Sequence, residues 1–228
     1  MVGEIALSLV LLTGARLLIE SFERVAHGSL GFQPDHVLGV EVFLAPNRYP
    51  RSRPDKQRAF VREVLQEMKV LPGVESAGAA STLPLAGFWG PTDFLVEGQA
   101  PPKPGESPSA DNRLVTPGYF STMRIPLLRG RDFTETDRDG GLNVAIVDET
   151  LARRYLGEEN PIGKRLNLGT AEKPDWWDVV GEVGNVKASG LEHADIPTLY
   201  RPYEQFPIGL VAFTIRTAGD PAALLNSA

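Results

Sequence analysis

The chain has 228 residues and no cysteine, with 23 Lys and Arg against 29 Asp and Glu, a formal net charge of -6. That balance argues against a nucleic-acid partner, which needs a concentrated cationic surface, and the missing thiols exclude disulfides, thiolate nucleophiles and sulfur-ligated metals. With 42% hydrophobic and 23% charged residues, the length supports one or two domains with a real core rather than a disordered chain.

Residues 5 to 19 form the most apolar run of the chain. A cleaved signal peptide requires a basic start and a small-residue cleavage site, and neither stands in the right place around Met1 to Glu4 and Leu17 to Ile19. A spanning helix requires roughly 20 apolar residues. Val2 to Ile19 comes close, with Glu4 and Arg16 near its ends, where long side chains reach the headgroups. The competing reading is a helix buried in a globular core. The preferred expectation is a transmembrane helix within residues 1–30, continued by Leu18, Phe22 and Val25 at helical spacing and ended near Gly28 or Gly31.

Val37 to Leu44 has the content of a buried strand, expected at the centre of a sheet. Ser52 followed by Asp55 resembles a capping box that starts a helix. That helix sets Phe60, Val61, Val64, Leu65, Met68 and Leu71 on one face, with Arg58, Arg62, Glu63, Gln66 and Glu67 outward, and Pro72-Gly73 stops it. Val74 to Leu83 is a second strand beneath the helix, which makes a strand-helix-strand unit whose crossover is right-handed if the strands are parallel neighbours.

From Pro84 to Pro108 the chain is rich in Gly, Pro and Ser around one strand candidate, Asp93 to Glu97. Pro101 and Pro104 have PxxP spacing, but the composition favours a plain surface loop. Further strands are expected at Ala110 to Val115, Val144 to Val147, Lys164 to Leu168, Trp177 to Val183 and Leu210 to Arg216, with an extended Pro197 to Tyr203. Asp148 is placed to cap a short helix from Glu149 to Leu156. Asp220 and Pro221 open a last helix, which the chain carries for about one turn, as though the natural polypeptide continued.

Little of this carries recognisable chemistry. His27, His36 and His193 lack metal-ligand spacing, and no Gly-x-Ser-x-Gly elbow is present. Ser189-Gly190 reads as a turn. Asp132, Glu135, Asp137, Asp139 and Asp148 form an acidic cluster that offers a cation site or a carboxylate pair, though residues 137–141 also make a good solvated turn. Gly181 to Gly184 has clamp-loop spacing without positive charge. Trp176 and Trp177 offer a stacking surface, but packing over a sheet edge uses them better. No residue is therefore assigned a catalytic, cofactor-binding or metal-binding role.

One succession is more specific than any composition. Thr116-Pro-Gly-Tyr-Phe-Ser-Thr-Met123 leads through Leu127-Leu-Arg-Gly-Arg-Asp-Phe133 to Val144-Ala-Ile-Val-Asp-Glu-Thr-Leu-Ala-Arg-Arg-Tyr-Leu156 and Asn160-Pro-Ile-Gly-Lys-Arg-Leu166. It is joined by Gly31-Phe32, Leu71-Pro-Gly-Val-Glu-Ser76, Trp177-Asp-Val-Val-Gly-Glu-Val-Gly-Asn-Val186 and Arg216-Thr-Ala-Gly-Asp-Pro221. In order and spacing these resemble the MacB-like periplasmic core domain of ABC transporter permeases (MacB/FtsX-like), particularly the acidobacterial type with duplicated halves.

The resemblance implies an α+β fold: a porter-like α/β subdomain, residues 31–84 and 186–228, with a mixed α/β subdomain, 85–185, inserted in it after the N-terminal transmembrane helix. It implies a non-enzymatic, cofactor-free part of an inner-membrane machine, with its soluble domain in the periplasm. Partner binding and mechanical transmission would be coupled to a separate ABC ATPase subunit or domain. The implied partners are the lipid bilayer, that ATPase, a periplasmic adaptor protein and a second copy in a homodimer. The alternative is a membrane-tethered hydrolase or ligand-binding domain using the acidic 132–148 region.

Overall fold

The structure, a computed structural model, describes residues 29–225 apart from 101, 104, 158, 171 and 189–193. The expected membrane helix, His27, His193, the Ser189-Gly190 turn and the Pro101/Pro104 pair lie outside the described residues. The strands are β1 (Val37–Phe43), β2 (Val74–Ala80), β3 (Pro91–Asp93), β4 (Leu95–Val96), β5 (Ser109–Val115), β6 (Leu127–Gly130), β7 (Val144–Asp148), β8 (Arg165–Asn167), β9 (Trp176–Val183), β10 (Thr198–Pro202) and β11 (Leu210–Thr217). The helices are α1 (Pro54–Val70), α2 (Tyr119–Met123), α3 (Glu149–Leu151), which runs into a π-helical turn at Ala152–Leu156, and α4 (Ala222–Leu225).

The strands form one mixed sheet in the order β1-β11-β2-β5-β10-β7-β9-β8-β4, with β3 beside β5 and β6 beside β9. β1 and β2 are both antiparallel to β11, which lies between them. They are therefore parallel to each other but not neighbours, and the strand-helix-strand unit is split by a strand from the end of the chain. β1 consequently lies at the sheet edge, not at its centre, and Phe43 is 70% exposed. Its apolar content is only partly used, with Val37 and Val42 packed toward opposite faces and Val40 and Phe43 exposed, and composition alone does not distinguish such an edge strand from a central one.

Side-chain alternation sorts the core onto two faces. On one face, Val61 and Leu65 of α1 pack with Ala77, Ala79, Leu114 and Phe213. Leu151, Ala152 and Leu156 share that face further along, with Ala145, Val147 and Trp177. On the other, Tyr119, Phe120 and Met123 of α2 meet Val115, Ile146 and Tyr200.

Several local expectations change in the folded chain. Ser52 does not cap α1: Arg53 is the N-cap residue without a side-chain cap, Pro54 opens the helix, and the Asp55 carboxylate pairs with Arg53 instead. Leu71 leaves the apolar face and is exposed. The single strand expected at 93–97 divides at the buried Phe94 into β3 and β4, which pair with different partners. Asp148 does cap α3, its carboxylate accepting from Leu151 N at 2.7 Å, and Asp220 accepts from Ala222 N at 2.9 Å. α2 and β6 have no counterpart among the expected elements.

Candidate functional site

Four of the five acidic residues, Asp132, Asp137, Asp139 and Asp148, are each held by a different partner. Asp137 takes both Arg131 Nη1 and Nη2, at 2.7 and 2.9 Å, and Thr134 N at 2.8 Å. Burial raises its carboxyl, but these donors outweigh it and hold the group below the usual range. Being buried, Asp137 does not belong to a solvated turn. Asp132 caps Phe133 N, and burial raises it. Asp139 bridges to Arg58 of α1 at 3.0 Å, while Glu135 lines a cavity with Arg62, Lys69 and Glu204. Asp148 is spent on its helix cap. Among the described residues, no group of three or more His, Asp or Glu side chains is arranged to hold a metal ion.

The remaining candidates are structural as well. Gly181 lies where β9 meets the chain beyond β6, and a Cβ there would run into the Arg131 carbonyl oxygen. The Gly-x-x-Gly spacing is thus a packing requirement of the sheet. Trp177 is buried and donates from Nε1 to Asp175 at 2.9 Å; the Arg165 guanidinium lies over Trp176 at 5.2 Å. Arg129 pairs with Glu182 at 3.1 Å and Arg153 with Glu149 at 3.6 Å, while Arg154 lies over Tyr155.

A buried polar junction lies where the chain before β1 meets the end of β11. Arg216 is buried on β11 and donates to three backbone carbonyls: from Nε to Thr122 at 2.6 Å, from Nη1 to Asp35 at 2.7 Å and from Nη2 to Gln33 at 2.7 Å. Burial lowers its pKa, and the nearby Arg124 charge adds to that. The three carbonyl dipoles offset the loss of hydration, which keeps a buried cation tolerable without a carboxylate.

Adjacent bonds extend the clamp. Thr217 N donates to His36 O at 2.9 Å, and His36 Nδ1 lies 2.8 Å from Gly219 O, so His36 links the two segments and does not act as a lone histidine. Gln33 N donates to Met123 O at 2.9 Å, Arg124 Nη1 to Gln33 Oε1 at 2.9 Å, and Lys187 N to Leu30 O at 3.0 Å. Gly31, at φ 78°, passes so close to Asn185 that a Cβ would overlap its carbonyl oxygen. Residues 30–36 are thereby tied to α2, to the chain after β9 and to β11. The sequence signal for this junction was an arginine in an otherwise apolar strand, where alternation placed Ala212, Thr214 and Arg216 on one face.

The comparisons with known proteins agree with this architecture. The family described as "MacB-like periplasmic core domain" matches residues 5–227. The chain is 31% identical over 85 residues, 37% of its own length, to the macrolide export ATP-binding/permease protein MacB of Aggregatibacter actinomycetemcomitans. It is 25% identical over 113 residues, 46% of its length, to the protein of that name from Bdellovibrio bacteriovorus. These matches span 12% and 17% of the two relatives' lengths. The solved periplasmic region of MacB from Actinobacillus actinomycetemcomitans superposes with a TM-score of 0.54 at 18% identity, covering 86% of this chain and 82% of that one. With its mixed α+β sheet and few helices, and a family match over nearly its whole length, the chain belongs to the MacB-like periplasmic core domain family of ABC transporter permeases.

Proposed function

We propose that this chain is the extracytoplasmic core domain of an ABC-type permease and that it transmits mechanical movement coupled to ATP hydrolysis by a separate nucleotide-binding domain. The observation that carries this reading is the Arg216 clamp, which fixes the segment leading into β1 to β11 and α2 together. A displacement of residues 1–30, acting as a membrane helix, would reach the sheet through this junction without a slack connection. Among the described residues no helix is long and apolar enough to cross a membrane, so the membrane contact rests on the sequence of residues 1–30.

Within this reading, residues 31–84 and 186–228 form the porter-like subdomain and 85–185 the inserted one. The split β1-α1-β2 unit around β11 supports the first. β10, from the second segment, pairs with both β5 and β7 of the insertion. The boundary is therefore crossed by sheet hydrogen bonds, suited to passing movement to a surface that binds a periplasmic adaptor. The full permease would work as a homodimer in the inner membrane. The proposal is tested in the full-length permease, reconstituted with its ATPase in nanodiscs, with one spin label on β9 of each of the two copies, so that the distance reads movement of the sheet and not of the junction. An ATP-dependent distance change is expected, and it should collapse in Arg216→Met. Absence of any change in the parent overturns the transmission role, whereas an unaltered change in Arg216→Met overturns the clamp as its route.

A further inference from the structure

Beside the sheet edge, two cavities of about 420 and 390 Å³ adjoin, sharing Arg51 and Ile208 in their walls. The larger is aromatic and apolar, with Phe43, Leu44, Tyr49 and Trp89 around it. The smaller has Pro54, Phe206 and Pro207 as its apolar surface, and Arg51 and Arg58 as its charges. Together they have the size and mixed lining of a small-molecule site.

The cationic half is under-compensated. Arg51 makes no side-chain ion pair among the described residues. Arg58 has one partner, the exposed Asp139 at 3.0 Å, and its Nε is buried with no hydrogen-bond partner in the described structure. The Phe206 ring, which lines this cavity and is 52% exposed, also stacks on a third guanidinium: Arg201 lies 4.7 Å from it and 4.8 Å from Trp177. Arg201 is only 7% exposed, yet of its donors just Nε is engaged, with Asn112 Oδ1 at 2.9 Å, and no carboxylate comes within ion-pair distance among the described residues. Burial lowers its pKa to about 10, with only a partial countereffect from Asp175. In a chain of net charge -6, two arginines lining one cavity and a third stacked behind its Phe206 wall oppose the overall field. A guanidinium with unused donors is an oxyanion receptor by geometry.

We propose that this groove binds a small organic anion, its carboxylate or phosphate held at Arg51 and Arg58 beneath Phe206 and its apolar body laid along Phe43, Tyr49 and Trp89. The site stands on the groove alone and does not depend on the permease reading. The probe is 2-naphthoate, titrated into the full chain in nanodiscs, so that no detergent competes, and followed by calorimetry and Trp89 fluorescence, with empty nanodiscs as blank. Saturable binding with Kd on the order of 100 µM is expected. Arg51→Gln, a change at an exposed side chain, should weaken it about tenfold, as should replacing the probe by the neutral 2-naphthamide. Trp89→Phe should keep the calorimetric binding and lose the fluorescence change. Equal binding of naphthoate and naphthamide, an unchanged Kd in Arg51→Gln, or no saturable binding above the blank each overturns the site. Inorganic phosphate binding as tightly as naphthoate overturns its aromatic half.

Discussion

The junction at the end of β11 and the wall behind Phe206 each contain a deeply buried arginine, and the two differ in what the guanidinium meets. At the junction, Arg216 gives its donors to three carbonyls from two separate segments, so its burial is compensated within the fold. Behind Phe206, Arg201 uses one donor and is covered by two aromatic rings. A buried cation whose donors are satisfied fixes the chain around it, and one with donors to spare adds uncompensated positive charge behind the ring that lines the groove. A third, Arg113, shows a different solution. It pairs with the fully buried Asp111 at 2.8 Å, and that carboxylate also accepts from Trp89 N and Gly90 N.

The contrast can be tested most severely at Arg113. Asp111→Ala leaves that cation buried without its carboxylate and should destabilise the fold by about 4 kcal/mol in urea unfolding; a loss below about 1 kcal/mol would mean that satisfied donors do not decide the matter. Arg216→Met should cost about 3 kcal/mol in the same measurement. It should also increase hydrogen exchange at residues 30–36, whereas Arg201→Met should leave exchange there unchanged.

A buried anion sharpens the comparison through pH. Burial, with Asp195 adding to it, pushes Asp148 up from 3.8 to about 7 against the opposing hydrogen bonds of Leu151 and Thr198. The folded chain then keeps the proton up to about pH 7, while the unfolded chain releases it near 3.8. Stability from this group is therefore full below the lower value, falls as pH rises between the two and is level above the upper one. The slope within that window is at most about 1.4 kcal/mol per pH unit. Asp148→Asn should flatten the fall and gain about 1–2 kcal/mol at pH 8, read from urea midpoints between pH 4 and 8. The smallest effect is expected at Arg153, whose pair with Glu149 is exposed on both sides: Arg153→Ala should change stability by about 0.3 kcal/mol.

Legibility in the sequence follows the range of the interaction. The α1 periodicity, the Asp148 cap and most strands depend on residues within a few positions of one another, and they stood in the sequence at nearly their folded places. α2 was missed because five residues between a glycine turn and Arg124, which adopts φ 52°, carry too little periodicity to announce a helix. β6 was missed because its residues are all exposed and its pairing with β9 is irregular. The acidic residues of 132–148 looked like a site because they are close in sequence, yet their partners lie on α1, on Arg131 and at a helix start.

Local patterns in the chain were enough for the α+β class, for a helix ended by Pro72-Gly73, for the lack of thiol chemistry and, through the ordered motifs from Thr116 to Leu166, for the family. That β11 splits β1 from β2, that β1 is an edge strand, that Arg216 is a clamp and that Arg51, Arg58 and Phe206 line one cavity emerge from long-range packing. Alternation identifies which faces of a strand are apolar but not which strand lies beside it. The partners of Arg216 at Gln33 and Asp35 are more than 180 residues away, and no local pattern records a contact at that range.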